Sequence, residues 1–600
     1  MSDTLDNKIL QVLRENGLPE VFPSLREIPF PGQLGVALSN VFQIARAAYP
    51  GADKKQLKEK ADEIAQLIGY NLDSSGIFEK VEVVKGYVNC FFKPPAFASD
   101  LISNVLMNGI SWAESKETTP GRAMVEYSQP NTHKAFHIGH VRNVVTGSCL
   151  IRCMEYSGRD VVAANYYGDI GTHVFKSLWY LENYAQGEMI EGSLGQWLGN
   201  QYQNAEEILS SDDTLREEAL RGIAERWYSG DPQLIARWEE TRGWSLDEFR
   251  RIYKELDARF DVDFFESQVE VEGLKIVDEL VEEGIAAISG GARIVEIDVK
   301  LHEKFPGEFP LVNGEIKDKY RVLVLVKSDG SSLYGSKDLS LAKKKFEDFE
   351  IDESIYVVDN SQKFYFEQVF QILRIMGFPQ WEKCFHLSYE LVMLPEGKMS
   401  SRKGQVVLYD DVKTELERRA LDVVREKNPN LPDKAKKQVA SDVAMGALKY
   451  GMLRVDTNKI IHFDFDDVLD LEGRSAPYIQ YAGARASSIL RKAKDEKIKV
   501  PDNVTDSDFS YDMETAEIEL IKMINRLPEI VRKVSDEKKP IHLASYAYEL
   551  AVAFSDFYHA CPVLKAEGDI LRSRLLLVKA SRITIKSALW LLGINSPDVM

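Results

Sequence analysis

The 600-residue sequence contains no apolar run of about 18 residues, the length that a membrane-spanning helix requires. Its start, MSDTLDNKIL, lacks the basic-then-apolar order of a secretory signal peptide. Internal repeats and low-complexity tracts are missing as well. The sequence therefore predicts a cytoplasmic globular protein that has no membrane partner.

Cysteine is scarce, with five residues, and only Cys149 and Cys153 lie close enough to share one helix face. A structural zinc site needs a second pair of ligands at similar spacing, and the sequence offers none. We therefore expect reduced, buried thiols, no zinc and no other protein-bound metal site.

Basic residues are outnumbered, with 75 Lys and Arg against 94 Asp and Glu, which gives a net charge of −19. Such a balance would usually argue against a nucleic-acid partner. It does not exclude one here, because a large protein can hold a local basic channel on an acidic body.

Three domains are predicted from the pattern of helices and strands. Residues 1–115 read as a small α/β domain, because helical patterns are followed by the alternating strands of KVEVVKGYVNCFF. In residues 116–412, strands and helices alternate as in a Rossmann-like, doubly wound parallel sheet, with a mostly helical insertion at about 176–290. Residues 413–600 consist of amphipathic helices and loops, which predicts an all-α helical bundle.

Histidine is also scarce, with nine residues, yet three of them lie in the segment SQPNTHKAFHIGH, residues 128–140. A strand-like run precedes this segment and a helical pattern follows it up to Gly158, so it is predicted to be a strand-to-helix turn. Gly139 would let a phosphate approach the unpaired N–H groups of the helix, and His137 and His140 could donate hydrogen bonds to it. A helix-capping histidine and a metal-binding pair are the alternatives.

A second candidate site is the segment EGKMSSRKGQ, residues 396–405, which places basic residues and two serines between two glycines. Such a loop can move cationic groups over a polyphosphate. Taken alone, it reads equally well as a solvated basic turn.

The segment LYGSKDL carries Tyr334 and Asp338 at positions i and i+4, which share one face of a helix. A carboxylate beside a phenol can hold a planar guanidinium through two parallel hydrogen bonds, which a lysine ammonium cannot reproduce. The alternative is a surface pair on a helix.

These motifs together resemble the class I aminoacyl-tRNA synthetases. The residues HIGH at 137–140 match the class signature H-I-G-H, and KMSSR at 398–402 partly matches K-M-S-K-S, with Ser401 in place of the second lysine. Further stretches resemble the arginyl-tRNA synthetase family in particular, and they are VEYSQPNTHKAFHIGHVRN, GDIGTH, IYKELDARFDVDFFES, LYGSKDL, APYIQYAGARASSILRKA and FYHACPVL.

The resemblance implies a ligase that activates L-arginine with ATP and transfers it to the 3′-terminal ribose of tRNA(Arg), with Mg²⁺ borne by the ATP. The catalytic residues it implies are Lys134, His137, His140, Lys398 and Arg402, where Lys134 substitutes for the missing loop lysine. The ATP-binding residues it implies are His137, Gly139, His140, Lys398, Met399, Ser400 and Ser401. The arginine-binding residues it implies are Glu126, Asn131, Tyr334, Asp338 and Gln362.

The terminal domains resemble those by which the family binds tRNA: an elbow-binding N-terminal domain and an anticodon-binding C-terminal bundle. Candidate tRNA contacts in the bundle are Tyr478, Tyr481, Arg485 and Met600, although Tyr478 and Tyr481, at i and i+3, could equally be core packing. A monomer is expected.

Three departures from the family pattern bear on the detailed contacts: Gln129 replaces a common serine, His173 a glutamine and Glu390 a frequent glycine.

Other interpretations of the function remain open at this point. The chain could be a nucleotidylyltransferase, a synthetase for another amino acid, or a synthetase-like tRNA-binding protein that has lost catalysis.

Overall fold

The computed structural model describes residues 2–28, 31–75, 78–185, 192–394, 407–505 and 507–600. Within these ranges, no helix has the length and apolar character needed to cross a membrane. The first part of the chain forms the helices and strands α1 (Ser2–Glu15), β1 (Leu25–Glu27), β2 (Gly35–Leu38), α2 (Val41–Ala48), α3 (Lys54–Asp73), β3 (Phe78–Val84), β4 (Tyr87–Phe92) and α4 (Pro94–Asn108). Its four strands form an antiparallel sheet in the order β1-β2-β4-β3.

The second part of the chain alternates strands with helices. Its strands are β5 (Arg122–Glu126), β6 (Asp160–Tyr167), β7 (Val262–Phe265), β8 (Ala287–Ser289), β9 (Ala292–Glu296), β10 (Val322–Val326), β11 (Glu353–Asp359) and β12 (Cys384–Tyr389). Its helices are α5 (Ile138–Tyr156), α6 (Thr172–Asn183), α7 (Leu194–Ser211), α8 (Asp213–Tyr228), α9 (Pro232–Leu256), α10 (Glu266–Glu282), α11 (Ile297–Lys304), α12 (Tyr334–Phe349) and α13 (Lys363–Ile375).

Five of these strands form a parallel sheet in the order β12-β11-β5-β6-β7, which confirms the predicted Rossmann-like α/β fold. Helices cover both faces, so the three central strands β11, β5 and β6 are almost continuously buried. Ala123 and Val125 of β5 pack on the α5 side, whereas Met124 packs on the side of α10, α12 and α13. Because the strands are parallel, all their carboxyl ends meet at one edge of the sheet.

The helical insertion is narrower than the predicted segment 176–290. Helices α6 to α9 form it, but β7 at Val262–Phe265 pairs with β6 and is the edge strand of the parallel sheet. This strand has only four residues between charged neighbours, which is too short for a periodic signal. Strands β8, β9 and β10 form a separate antiparallel sheet and do not extend the parallel one.

The C-terminal part is the all-α bundle that the sequence predicts. Its helices are α14 (Tyr409–Lys427), α15 (Asp433–Leu453), α16 (Phe465–Val468), α17 (Ala476–Asp495), α18 (Thr515–Asn525), α19 (Leu527–Glu537), α20 (Ile541–Ala560) and α21 (Gly568–Leu591). Two short strands, β13 (Val392–Met393) and β14 (Ile461–His462), pair in parallel and tie the end of the sheet domain to the bundle.

Arg142 joins α5 to this connection. Its guanidinium is 1% exposed and donates hydrogen bonds to five backbone carbonyl oxygens. Two belong to Glu390 and Leu391, just before β13, and three to residues 456–459, just before β14. The helix that follows the histidine segment is thus bonded directly to the two segments that lead into β13 and β14.

Candidate active site

The turn between β5 and α5 lies at the carboxyl edge of the sheet, as predicted. Ser128, Gln129 and His133 have φ values of 75°, 50° and 65°, a left-handed backbone that costs energy for residues other than glycine. Asn143 of α5 holds the turn in place, because its Oδ1 accepts from the Ser128 N–H at 2.6 Å and its Nδ2 donates to the Val357 carbonyl oxygen at 2.7 Å. The strained turn is therefore fixed by the helix it precedes.

His137 and His140 close the N-terminus of α5 together. His137 is the N-cap residue, and its Nδ1 accepts from the Gly139 N–H at 3.1 Å. The His140 Nδ1 accepts from the His137 N–H at 3.2 Å, and the two rings stack with centroids 3.7 Å apart. A Cβ on residue 139 would lie 3.0 Å from the His137 ring, so a larger residue there would displace this ring by a few tenths of an ångström.

Both imidazoles are neutral at physiological pH. Burial, with the charge of Lys134, lowers the pKa of His137 to about 4. Burial also lowers the pKa of His140 well below its ordinary value, with His137 and Lys134 adding to the effect. Since each Nδ1 accepts a backbone hydrogen bond, each Nε2 must carry the ring proton. The capping alternative is thus correct for the Nδ1 atoms. Neither Nε2–H group has a hydrogen-bond partner in the part of the chain that the structure describes, so both can donate to a phosphate.

Lys134 is half-buried beside this helix end. Its Nζ lies 5.1 Å from the centroid of the Tyr202 ring. Burial lowers the pKa of Lys134, Glu206 opposes that shift, and Lys176 adds to it. The charge of Lys134 in turn lowers the pKa of both histidines, so it provides a cation near the proposed phosphate site.

A second group of residues lies on the other face of the sheet, at the same edge. Glu126 ends β5 and is 2% exposed. Asn131 bridges to Gly168, just past the end of β6, and a Cβ on residue 168 would lie 2.1 Å from the Asn131 Oδ1. Because Gly168 has no side chain, there is room for the Asn131 amide beside it.

Asp338 and Tyr334 both lie in the first turns of α12, as their spacing predicts. The Asp338 carboxylate accepts from the Tyr365 hydroxyl at 2.5 Å, whereas 58% of Tyr334 is exposed. Burial raises the pKa of Asp338 to about 7; the Tyr365 hydrogen bond and Lys345 lower it, and the charges of Glu126 and Glu266 raise it. Within the described ranges, no basic group lies within 4 Å of this carboxylate.

Gln362 follows β11, in an exposed turn at the same edge of the sheet. Lys398, Met399, Ser400, Ser401 and Arg402 lie outside the described residues.

Of the departures from the family pattern, His173 is buried with its Nε2 3.0 Å from the Gly168 carbonyl oxygen, and the Glu390 Oε1 accepts from Asn360 at 2.7 Å. Both therefore bond to the edge of the sheet.

The four candidate tRNA contacts separate into two groups. Tyr478 and Met600 are partly buried and pack against the core, and the Tyr478 ring lies 5.4 Å from that of Tyr548. Tyr481 is 40% exposed, and the Arg485 guanidinium lies 4.8 Å from its ring and 4.9 Å from that of Tyr558. Only Tyr481 and Arg485 thus belong to an aromatic–arginine cluster at the surface.

Comparison with known proteins identifies the family of the chain. The family model for the class I (R) tRNA synthetase catalytic domain matches residues 101–466, and that for the DALR anticodon-binding domain matches residues 479–600. The chain belongs to the arginyl-tRNA synthetase family. It is therefore an ATP-dependent arginine–tRNA ligase.

Individual relatives span almost the whole chain. Arginine–tRNA ligase of Bdellovibrio bacteriovorus is 35% identical over 530 residues, which cover 86% of each chain. That of Clostridium botulinum is 30% identical over 603 residues and covers 99% of each chain. The structure of Thermus thermophilus arginyl-tRNA synthetase superposes over 100% of each chain, with a TM-score of 0.79 and 26% identity.

Sequence reasoning missed Lys345 and Tyr365, which contact Glu126 and Asp338, respectively. It also missed Glu266, whose charge acts on Asp338. Lys345 follows Asp338 by seven residues, two helical turns, so the helical period could have placed it on the same face. Glu266 directly follows β7, and could have been found if that four-residue strand had been recognised. Tyr365 gave no signal, because it reaches Asp338 only through the packing of α13 against α12.

Proposed function

We propose that the carboxyl edge of the parallel sheet binds both substrates of the first step, ATP on the α5 side and arginine on the α12 side. Two features of the α5 N-terminus support the ATP site. The helix end attracts anions, and His137 and His140 are neutral rings whose Nε2–H donors have no partner among the described residues. Lys134, and with it the basic segment that contains Lys398 and Arg402, would balance the charge that develops on the leaving pyrophosphate.

The arginine site is proposed to lie between Glu126, Asn131 and α12. Asp338 is the observation that carries this assignment, because this carboxylate has no basic partner among the described residues and its pKa is raised to about 7 by burial. A guanidinium would supply the missing cation and restore the ionised state through two parallel hydrogen bonds. Tyr334 and Gln362 would complete the pocket at its exposed rim.

Catalysis is proposed to rest on positioning and charge neutralisation, without a protein nucleophile. An arginine carboxylate oxygen attacks the α-phosphorus of ATP, and the bond to the β-phosphate breaks to release pyrophosphate. A ribose hydroxyl at the tRNA 3′ end then attacks the arginyl carbonyl, loses its proton and expels AMP. Mg²⁺ is proposed to arrive on ATP, held by phosphate oxygens and water.

The remaining chain is proposed to bind tRNA(Arg), with residues 1–115 at the elbow and residues 413–600 at the anticodon loop. The surface cluster of Tyr481 and Arg485 supports a stacking contact with an unpaired base. We also propose that the enzyme works as a monomer in the cytoplasm; the five free, buried cysteines fit a reducing compartment.

The variant Asp338→Asn tests the arginine site, because it keeps the shape of the side chain and removes its charge. Its KM for arginine should rise about 100-fold or more while its KM for ATP stays unchanged, as expected for loss of a charge-assisted hydrogen-bonded pair. An unchanged arginine KM in a folded variant would contradict the assignment.

A further inference from the structure

Glu126 is held from two sides by other residues of the chain. The Lys345 ammonium forms an ion pair with its Oε2, and Lys345 and Glu126 are 0% and 2% exposed. The same ammonium lies 3.8 Å from the centroid of the Tyr356 ring, on the strand next to β5. Lys345 is therefore fixed by an anion and an aromatic face beneath the proposed arginine pocket.

Gln129 holds the other oxygen. Its Nε2 donates to the Glu126 Oε1 at 2.6 Å, and its Oε1 accepts from the Asn143 Nδ2 at 3.3 Å. The left-handed backbone of Gln129 brings this side chain back over the strand end. Gln129 is also one of the departures from the common family pattern.

Of the three carboxylates around the proposed pocket, two are paired with a lysine of the chain. Lys345 neutralises Glu126, and the Lys337 Nζ neutralises Glu266 at 3.0 Å. Asp338 alone keeps a carboxylate that is bonded only to a neutral hydroxyl among the described groups. An arginine in the proposed pocket would therefore meet its counter-charge at Asp338, whereas the charge of Glu126 is already offset by Lys345.

We propose that Lys345 and Gln129 are positioning residues for arginine recognition: they fix the Glu126 carboxylate and cancel its charge. This inference rests on the proposed arginine site. A buried ion pair adds little net stability compared with apolar residues of the same volume. Its place beneath the pocket therefore has a functional reason, since a fixed acceptor loses no freedom when the substrate binds.

The test uses the full-length enzyme with tRNA(Arg), in pyrophosphate–ATP exchange. Lys345→Met removes the ammonium and keeps the chain length, Lys345→Arg keeps the charge, and Gln129→Met removes only the amide. Lys344→Met, on the exposed side of the same helix, is the matched control. Asp338→Asn reports on the pocket itself.

Lys345→Met should raise the KM for arginine about tenfold, and Gln129→Met about threefold, with the KM for ATP unchanged in both. Lys345→Arg should restore most of the affinity, which a mere loss of packing would not predict. Should Lys345→Met fail to fold, Gln129→Met decides, because it removes the two hydrogen bonds of the amide and no charge.

The inference is wrong if both Met variants keep an arginine KM within about twofold of the parent, or if the KM values for arginine and ATP rise together. The proposed arginine site is judged separately by Asp338→Asn. A strong effect there, beside normal Met variants, overturns only the positioning role. No effect of Asp338→Asn overturns the pocket assignment.

Discussion

Arginine binding should depend strongly on pH between 6 and 8, because Asp338 titrates in that range. Its pKa is raised to about 7 in the empty pocket by burial, with the negative charges of Glu126 and Glu266 adding to that effect and Lys345 and Tyr365 opposing it. The tyrosines Tyr166, Tyr334 and Tyr356 also face this group, but their own pKa values are raised, so they stay protonated.

The direction and the size of this pH dependence follow from the linkage between proton binding and arginine binding. A bound guanidinium favours the ionised carboxylate, so arginine must displace the proton wherever Asp338 is protonated. With a pKa of about 7, the KM for arginine at pH 6 should be about 11 times its limiting value at high pH. At pH 8 it should be about 1.1 times that limit, so the KM falls about tenfold over the two pH units.

Pyrophosphate–ATP exchange at a series of arginine concentrations, from pH 6 to pH 8, measures this directly. The KM for ATP is the internal control: with His137 at a pKa of about 4 and His140 well below its ordinary value, neither histidine titrates in the range. Asp338→Asn should abolish the pH dependence of the arginine KM. A flat arginine KM in the parent enzyme would refute the reasoning about Asp338.

Three further predictions follow from the structure. His140→Ala should lower kcat by about 100-fold, because it removes a phosphate donor and leaves the His137 N–H without its acceptor. Single-turnover adenylate formation measures this rate, and an effect below about threefold would count against the donor role. Arg142→Lys should lower the free energy of unfolding by about 2–4 kcal/mol, because an ammonium cannot donate to five carbonyl oxygens. Urea titration measures this, and an unchanged midpoint of the unfolding transition would contradict it. Tyr481→Ala should raise the KM for tRNA(Arg) severalfold at unchanged stability, whereas Tyr478→Ala should chiefly lower the stability of the fold. Aminoacylation and thermal melting measure the two effects, and the reverse result would show that the two roles are exchanged.

The parts of the site that the sequence predicted are those that it encodes locally. His137, Gly139 and His140 lie within four residues, and the helix N-terminus that gives them meaning follows directly in the chain. The i and i+4 spacing of Tyr334 and Asp338 is likewise a property of one helix. The periodic segments also predicted the parallel sheet and the C-terminal bundle correctly.

What escaped prediction depends on long-range packing. Tyr365 meets Asp338 from another helix, and Glu126 meets Lys345 across the sheet surface, more than two hundred residues along the chain. No local pattern shows which carboxylates obtain a basic partner, and that pairing decides which one remains for the substrate. The edge strand β7 was missed because four residues carry too little periodicity.

The central claim is best tested by pyrophosphate–ATP exchange with each of the twenty amino acids, with and without tRNA(Arg). We expect exchange with arginine alone, and the family resemblance implies that this exchange requires tRNA. Exchange with another amino acid would contradict the proposed guanidinium pocket. No exchange with arginine under either condition, in folded protein that still binds tRNA(Arg), would contradict the enzymatic function itself.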